Sequence, residues 1–233
     1  MKKWVFIMAM VSMLVSCSKE RVVIDEDFSS GFGNWWIEGG EEVFVKNGGL
    51  HMSADGDVRS NQMCTVWCRT PVVGNVKIEY TAKVEGSEEN YNNINFFFMY
   101  SDPSGQKLAD TAAQRMDGDY YRYHELNGYI VTFLNNPADG VEMDNPDGTR
   151  KARMRMRRCP GFNLVTETFD YNSRQGVEYH FTIIVVDGKL DFYVDGNKYL
   201  SWTDARPLCG GLIGLRTYRS QICWDNVKVT ELD

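Results

Sequence analysis

The chain reads as an all-β, two-sheet sandwich or jelly roll, and three observations carry that expectation. Apolar and polar residues alternate with period two along most of its length, while a 3.6-residue apolar stripe is hardly found. Clusters of Gly, Asn and Asp punctuate the alternating segments. Two of them, Asp187-Gly188 and Asp195-Gly196, are hairpin signals with strand-like sequence on both sides. Aromatic residues are 13% of the 233 and Pro only 6, so there is bulk for a core and little that breaks strands. Many short strands at such spacing fit a sandwich better than a small barrel.

Taken in order, Glu42 to Lys46 and Leu50 to Ser53 are short alternating runs around a Gly-containing turn. Thr65 to Arg69 follows, and Val76 to Val84 sets Val, Ile, Tyr and Ala against charged neighbours. Ile94 to Tyr100 is nearly all apolar, which assigns Phe96, Phe97 and Phe98 to the core. Tyr120 to Leu134 reads as one long strand. Ala152 to Arg157 alternates so that Arg153, Arg155 and Arg157 share one face while Met154 and Met156 enter the core. Phe162 to Thr168 comes next, then Glu178 to Val186, Leu190 to Val194 and Lys198 to Trp202 around the two hairpin turns. Gly211 to Thr217 and Ile222 to Leu232 close the chain. Gly39-Gly40 and Gly210-Gly211 read as turns. Asp102 to Asp119 suits a short helix or an excursion over a sheet, as does Asn135 to Arg150; loops of that length are often binding loops.

The first seventeen residues form a separate signal. Lys2 and Lys3, an apolar run from Trp4 to Val15 and then Leu14-Val15-Ser16-Cys17 resemble a bacterial lipoprotein signal, the apolar stretch being short for a bilayer span. The resemblance implies cleavage before Cys17, a lipid on that cysteine and an outer-membrane location. Ser18-Lys19-Glu20 is similar to the export tag of Bacteroidota-type surface lipoproteins. The expected organisation is therefore residues 1–17 as signal, 18–24 as tether and 25–233 as a single domain, with the lipid as its only membrane contact. A formal charge of -7 disfavours nucleic acid as a partner.

With Cys17 given to lipid, five cysteines remain. Cys64 and Cys68 stand about 13 Å apart on an extended strand at about 3.3 Å per residue, beyond disulfide reach. Buried, inert thiols are the expectation for all five. His51, His124 and His180 stand alone, no Cys/His set shows zinc spacing, and no cofactor is expected. His51 and His180 read as structural.

Asp25-Glu26-Asp27-Phe28 with Trp35 and Trp36, the hairpin Leu190 to Gly196, and Trp224-Asp225-Asn226-Val227-Lys228-Val229 resemble the ends of concanavalin A-like lectin/glucanase domains. The resemblance implies a curved two-sheet jelly roll whose first and last strands lie together. Thr65-Val66-Trp67-Cys68, Tyr129 to Phe133 and Arg158-Cys159-Pro160-Gly161-Phe162 are similar to YesU-like families of unknown function, which accompany polysaccharide-degrading machinery. Neither resemblance supplies a catalytic motif.

The residues that carry chemistry cluster around the basic run Arg150 to Arg158. Guanidinium forks suit carboxylates and sulfates, so an anionic polysaccharide is the expected partner, with the alternative that the arginines pair with acids on a neighbouring strand. Tyr121, Asn127, Arg153 and Trp67 are candidate substrate contacts, because aromatic faces stack on sugar rings and polar tips reach hydroxyls. A β-eliminating lyase needs a cation on the uronate and a base for the adjacent proton, roles that Arg155, Arg157, Tyr123 and His124 could fill. The nearest approach to the jelly-roll glucanase motif, Glu142 to Asp147, departs from it at its last residue and reads as a loop. Asp225-Asn226 offers oxygen ligands for a structural Ca²⁺. Two functions follow: an enzyme acting on an acidic polysaccharide, and a noncatalytic carbohydrate-binding lipoprotein.

Overall fold

The computed structural model describes residues 20–88, 91–135 and 153–233, the side chain of Arg153 apart. Two antiparallel sheets form the sandwich. Sheet A orders its strands β14 (Asn197–Thr203), β13 (Lys189–Val194), β12 (Glu178–Val186), β7 (Asn75–Ser87), β16 (Ser220–Leu232), β4 (Gly49–Ser53) and β3 (Glu42–Lys46), with β1 (Arg21–Glu26) also on β16. Sheet B runs β11 (Asn163–Thr168), β10 (Arg153–Cys159), β9 (Asn127–Leu134), β8 (Asn93–Ser101), β15 (Gly210–Tyr218), β5 (Met63–Cys68) and β2 (Trp35–Gly39), with β6 (Val72–Val73) also on β15. The pairing of β1 with β16, Ile24 opposite Val229, places the first and last strands together as expected.

Alternation builds sheet A. Along β7, Val76, Ile78, Tyr80, Ala82 and Val84 point inward while their neighbours stay partly exposed, and β12 does the same with Tyr179, Phe181, Ile183 and Val185. Tyr80 stacks on Phe96 of sheet B with ring centroids 4.4 Å apart and on Phe181 at 4.8 Å, joining the sheets through aromatic faces. Both Asp-Gly pairs are two-residue turns with Asp187, Gly188, Asp195 and Gly196 all at positive φ, the geometry that matches strand twist.

Sheet B departs from alternation: β5, β8 and β9 are buried on both faces almost throughout. The cause is a second core. The excursion 102–126 folds over the outer face of the sheet, and its Leu108, Tyr123 and Leu126 pack on Trp67, Phe97, Tyr100, Ile130 and Cys159. Each large apolar side chain so enclosed stabilises the fold by about 1.5–3 kcal/mol.

Three sequence expectations are corrected. Tyr120 to Leu134 is not one strand: Tyr120–His124 is a single-turn helix, α1, capped by the Asp119 side chain, which accepts the Tyr121 N–H at 3.2 Å, and β9 starts only at Asn127. Gly210-Gly211 lies inside β15, where a Cβ on Gly211 would come within 2.4 Å of the Met99 backbone. The five described cysteines are free but not all buried, since Cys209 is exposed and Cys223 half-buried. The signal residues 1–17 with Cys17, and Glu142 to Asp147, lie outside the described residues.

Candidate functional site

Register across sheet B assembles two rows of side chains on its outer face. One row is polar: Glu38 opposes Thr65, Thr65 opposes Arg216, Arg216 opposes Asn95, Asn95 opposes Thr132, and Thr132 opposes Arg155. The next is largely aromatic and apolar: Trp36, Trp67, Gly214, Phe97, Ile130 and Arg157. Both reach β10, where Met154 and Met156 are buried in the main core and Arg155 and Arg157 are half-buried on the opposite face. The expected alternation of β10 is therefore present. Arg153 lies on the strand, its side chain outside the described residues. Register sets Glu167 of β11 opposite Arg155.

Helix α1 and the β10–β11 turn bring rings to these cations. The Arg157 guanidinium stacks over Phe162 with its carbon 3.9 Å from the ring centroid, and Nη1 donates to the Phe162 carbonyl at 2.9 Å. His124 lies on the same phenyl ring, centroids 3.7 Å apart. Tyr120 meets both edge-on, at 4.5 Å from His124 and 5.0 Å from Phe162, and Tyr121, 71% exposed, stands 5.7 Å from His124. The turn is fixed to the helix by the Gly161 N–H, which donates to the His124 carbonyl at 2.9 Å.

Arg216 sits behind this group. It is buried, donates to Thr65 Oγ1 at 2.7 Å and to the Gly118 carbonyl at 3.1 Å, and lies 4.7 Å from the Tyr120 ring and 4.8 Å from that of Tyr123. Among the described residues it forms no ion pair. Burial, reinforced by the charges of Arg216 and Arg157, brings the His124 imidazole down from 6.5 to about 4. The ring is thus neutral at physiological pH, and its Nε2 is enclosed without a hydrogen-bond partner among the described residues.

The remaining candidates lie elsewhere. Tyr123, in the excursion, and Trp67, beneath it, are fully buried and both serve Glu38. The Glu38 carboxylate accepts from Trp36 Nε1 at 3.1 Å, Trp67 Nε1 at 3.0 Å, Tyr123 Oη at 2.9 Å, Arg115 Nε at 3.1 Å and Arg115 Nη2 at 2.9 Å. Burial first, then the Glu38 charge, push the Tyr123 phenol up, so it holds its proton firmly. Neither residue offers a surface to a ligand: Tyr123 is on a helix and turned inward, and Trp67 is roofed by the excursion. Asn127 donates to Ser101 Oγ at 3.2 Å, where β9 begins. Asp225 accepts from the Asn226 N–H at 2.6 Å in a bulge of β16; burial raises its carboxyl, helped by the charges of Asp27 and Glu178.

Sequence reasoning gathered Arg155, Arg157, His124 and Tyr121 correctly into one neighbourhood. It missed Arg216, Phe162, Tyr120 and Glu38. An arginine within the apolar strand Gly211 to Thr217 was a signal that could have found Arg216, since an unpaired charge is not buried without partners.

No curated protein matches the chain. Solved structures do. A protein of unknown function with a galectin-like fold from Bacillus subtilis superposes with a TM-score of 0.74 at 19% identity, covering 92% of this chain and 98% of its own. The carbohydrate-binding module CBM66 from Bacillus subtilis gives 0.55 at 12% identity, covering 85% of this chain and 96% of its own. The exoplasmic/lumenal domain of VIP36, in a form bound to Ca²⁺ and Man3GlcNAc, gives 0.63 at 11% identity over 91% of this chain and 88% of its own. At these identities the likeness establishes the fold, a galectin-like sandwich. The family model that matches residues 58–227 goes further, and the chain belongs to that family, DUF6250, a domain of unknown function.

Proposed function

We propose that this protein is an exported, lipid-anchored carbohydrate-binding protein that holds an anionic polysaccharide against the outer face of sheet B. The carrying observation is the stack of Arg157, Phe162 and His124, flanked by Arg155 and by the exposed ring of Tyr121. Guanidinium groups present forked donors to carboxylate or sulfate, and an exposed aromatic ring gives a sugar its stacking face. CBM66 is a carbohydrate-binding module and the VIP36 domain is seen bound to Man3GlcNAc, which supports the same reading, as does the resemblance to YesU-like families. Cys17 would carry the lipid that tethers the domain at the outer membrane.

Binding is favoured over β-elimination for a physical reason. A base for an uronate proton works best with a pKa near the operating pH. His124 is depressed to about 4, and Tyr123 is buried on Glu38. Neither of these two candidates supplies the proton acceptor the lyase needs.

Affinity electrophoresis through gels containing polygalacturonate, alginate or ulvan tests the proposal. Retardation by at least one polymer, reduced at least tenfold in apparent affinity by Arg157→Ala and by Tyr121→Ala, is the expected result, because a charge-assisted hydrogen bond contributes about 1.5–3 kcal/mol. Asp225, with Asp27 and Glu178 close by, supplies the oxygen ligands Ca²⁺ takes, so the gels are run with calcium and with chelator. Absence of retardation by every polymer would sink the binding proposal. Appearance of unsaturated-uronate absorbance in the same incubations would restore the lyase.

A further inference from the structure

On the opposite face of the sandwich, three neighbouring strands of sheet A bring together side chains that the proposed binding surface does not use. His51 of β4 lies directly across from Cys223 of β16, and Glu85 reaches them from β7. His51 Nδ1 is 2.7 Å from Glu85 Oε2, and His51 Nε2 is 3.7 Å from Cys223 Sγ. One ligand atom from each of the three lies within 4.8 Å of the others. The Lys46 carbonyl oxygen is 3.2 Å from the same Nε2. Spacing in the sequence, 51, 85 and 223, gives no hint of this cluster, because cross-strand register assembles it.

We propose that His51, Cys223 and Glu85 form a binding site for a thiophilic divalent cation, with Zn²⁺ the fitting ion. Zinc takes thiolate at about 2.3 Å and imidazole at about 2.0–2.1 Å, and a tetrahedral angle between such bonds separates sulfur from nitrogen by about 3.6 Å. The 3.7 Å between Cys223 Sγ and His51 Nε2 is already that separation. Glu85 on Nδ1 fixes the imidazole so that Nε2 turns its lone pair toward the sulfur, as a carboxylate does behind zinc-bound histidines. The donors, sulfur and imidazole nitrogen with a carboxylate behind the imidazole, select zinc over calcium or magnesium, which prefer oxygen alone.

One surrounding feature favours the ion. Gly49 faces the sulfur, and a Cβ there would lie 2.5 Å from Sγ, so the space beside the thiol is kept by the absence of a side chain.

The test uses the full chain with Cys17→Ser and Cys209→Ser, which remove the lipid-site and exposed thiols. Titration with Co²⁺ should give one equivalent of thiolate-to-cobalt charge-transfer absorption, displaced by Zn²⁺. Cys223→Ser should abolish the band, His51→Gln should weaken binding at least tenfold, and Glu85→Gln should weaken it about 10–100-fold. Circular dichroism confirms that each variant is folded. If Cys223→Ser does not fold, zinc protection of Cys223 against iodoacetamide in the parent, mapped by mass spectrometry, replaces it. A missing band, a band surviving Cys223→Ser, or alkylation of Cys223 unaffected by zinc would each overturn the site.

Discussion

Replacing Glu38 by alanine should destabilise the domain by about 3–5 kcal/mol, the cost typical of removing one partner of a buried ion pair. The structure sets that scale. Glu38 is fully buried and accepts five hydrogen bonds, two of them from Arg115, which is itself only 3% exposed. The other Arg115 contacts, Thr111 Oγ1 at 2.9 Å and the Leu108 carbonyl at 2.6 Å, hold the guanidinium in place without neutralising it. Alanine would therefore leave a buried cation with no counter-charge, together with the unpaired N–H groups of Trp36 and Trp67 and the Tyr123 hydroxyl. A domain of this class has about 5–15 kcal/mol in total, so the loss is a large fraction. Urea unfolding of the parent, Glu38→Ala, Arg115→Met and the double variant gives the full cycle. The double variant should be less destabilised than the sum of the singles, because removing both charges leaves none stranded. Amide exchange across 108–126 should quicken in Glu38→Ala, since the carboxylate is what fastens the excursion to the sheet. A loss below about 1 kcal/mol would refute the assignment of Glu38 as the anchor.

Two further outcomes follow from the same geometry. Because His124 is at about 4 in the folded protein and 6.5 is its ordinary value, the unfolded chain binds the proton more readily between those values, so stability falls as pH drops through that window, with a slope of at most about 1.4 kcal/mol per pH unit. His124→Gln should flatten the urea midpoint across the window; an unchanged slope would show that the imidazole is not desolvated. Gly128→Ala would place a Cβ 2.3 Å from two carbons of the Tyr100 ring and should cost about 1–3 kcal/mol by overpacking, read as a lowered thermal midpoint.

The main sandwich was legible in the sequence because its cause is local. Alternation along Val76 to Val84 and Glu178 to Val186, and the two Asp-Gly turns, each declare their geometry within a few residues. The alternation of Met154 and Met156 with Arg155 and Arg157 was equally readable. Helix α1 was not, because Tyr120-Tyr121-Arg122-Tyr123-His124 has strand-like composition and is helical only through the Asp119 cap and the docking of Tyr123 on Glu38. The polar row from Glu38 to Arg155 was out of reach for another reason. It joins neighbours such as Thr65 and Arg216, 151 positions apart, only through register, which no single segment encodes. The His51, Glu85 and Cys223 cluster was invisible on the same ground.

The excursion over sheet B also explains why the proposed binding surface sits where it does. An uncovered outer face would expose Trp67, Phe97 and Ile130 as one apolar strip in the middle of the sheet. Residues 102–126 cover that strip, and the buried Arg115–Glu38 pair fastens the cover from inside. What remains open lies toward β10 and β11, where the apolar row reaches Arg157 and the polar row Arg155. Helix α1, the last turn of the cover, then places Tyr121 and His124 beside those two cations. The segment that closes the second core is thus the one that builds the rim of the proposed binding surface. Loosening it through Glu38 should reduce glycan retardation even though Glu38 touches no ligand, whereas Arg157→Ala should reduce retardation at a cost in stability of only about 1–2 kcal/mol, the scale of the hydrogen bond and ring contact to Phe162 that it loses. Equal losses of stability in both variants would mean that the arginine stack belongs to the core rather than to a recognition surface.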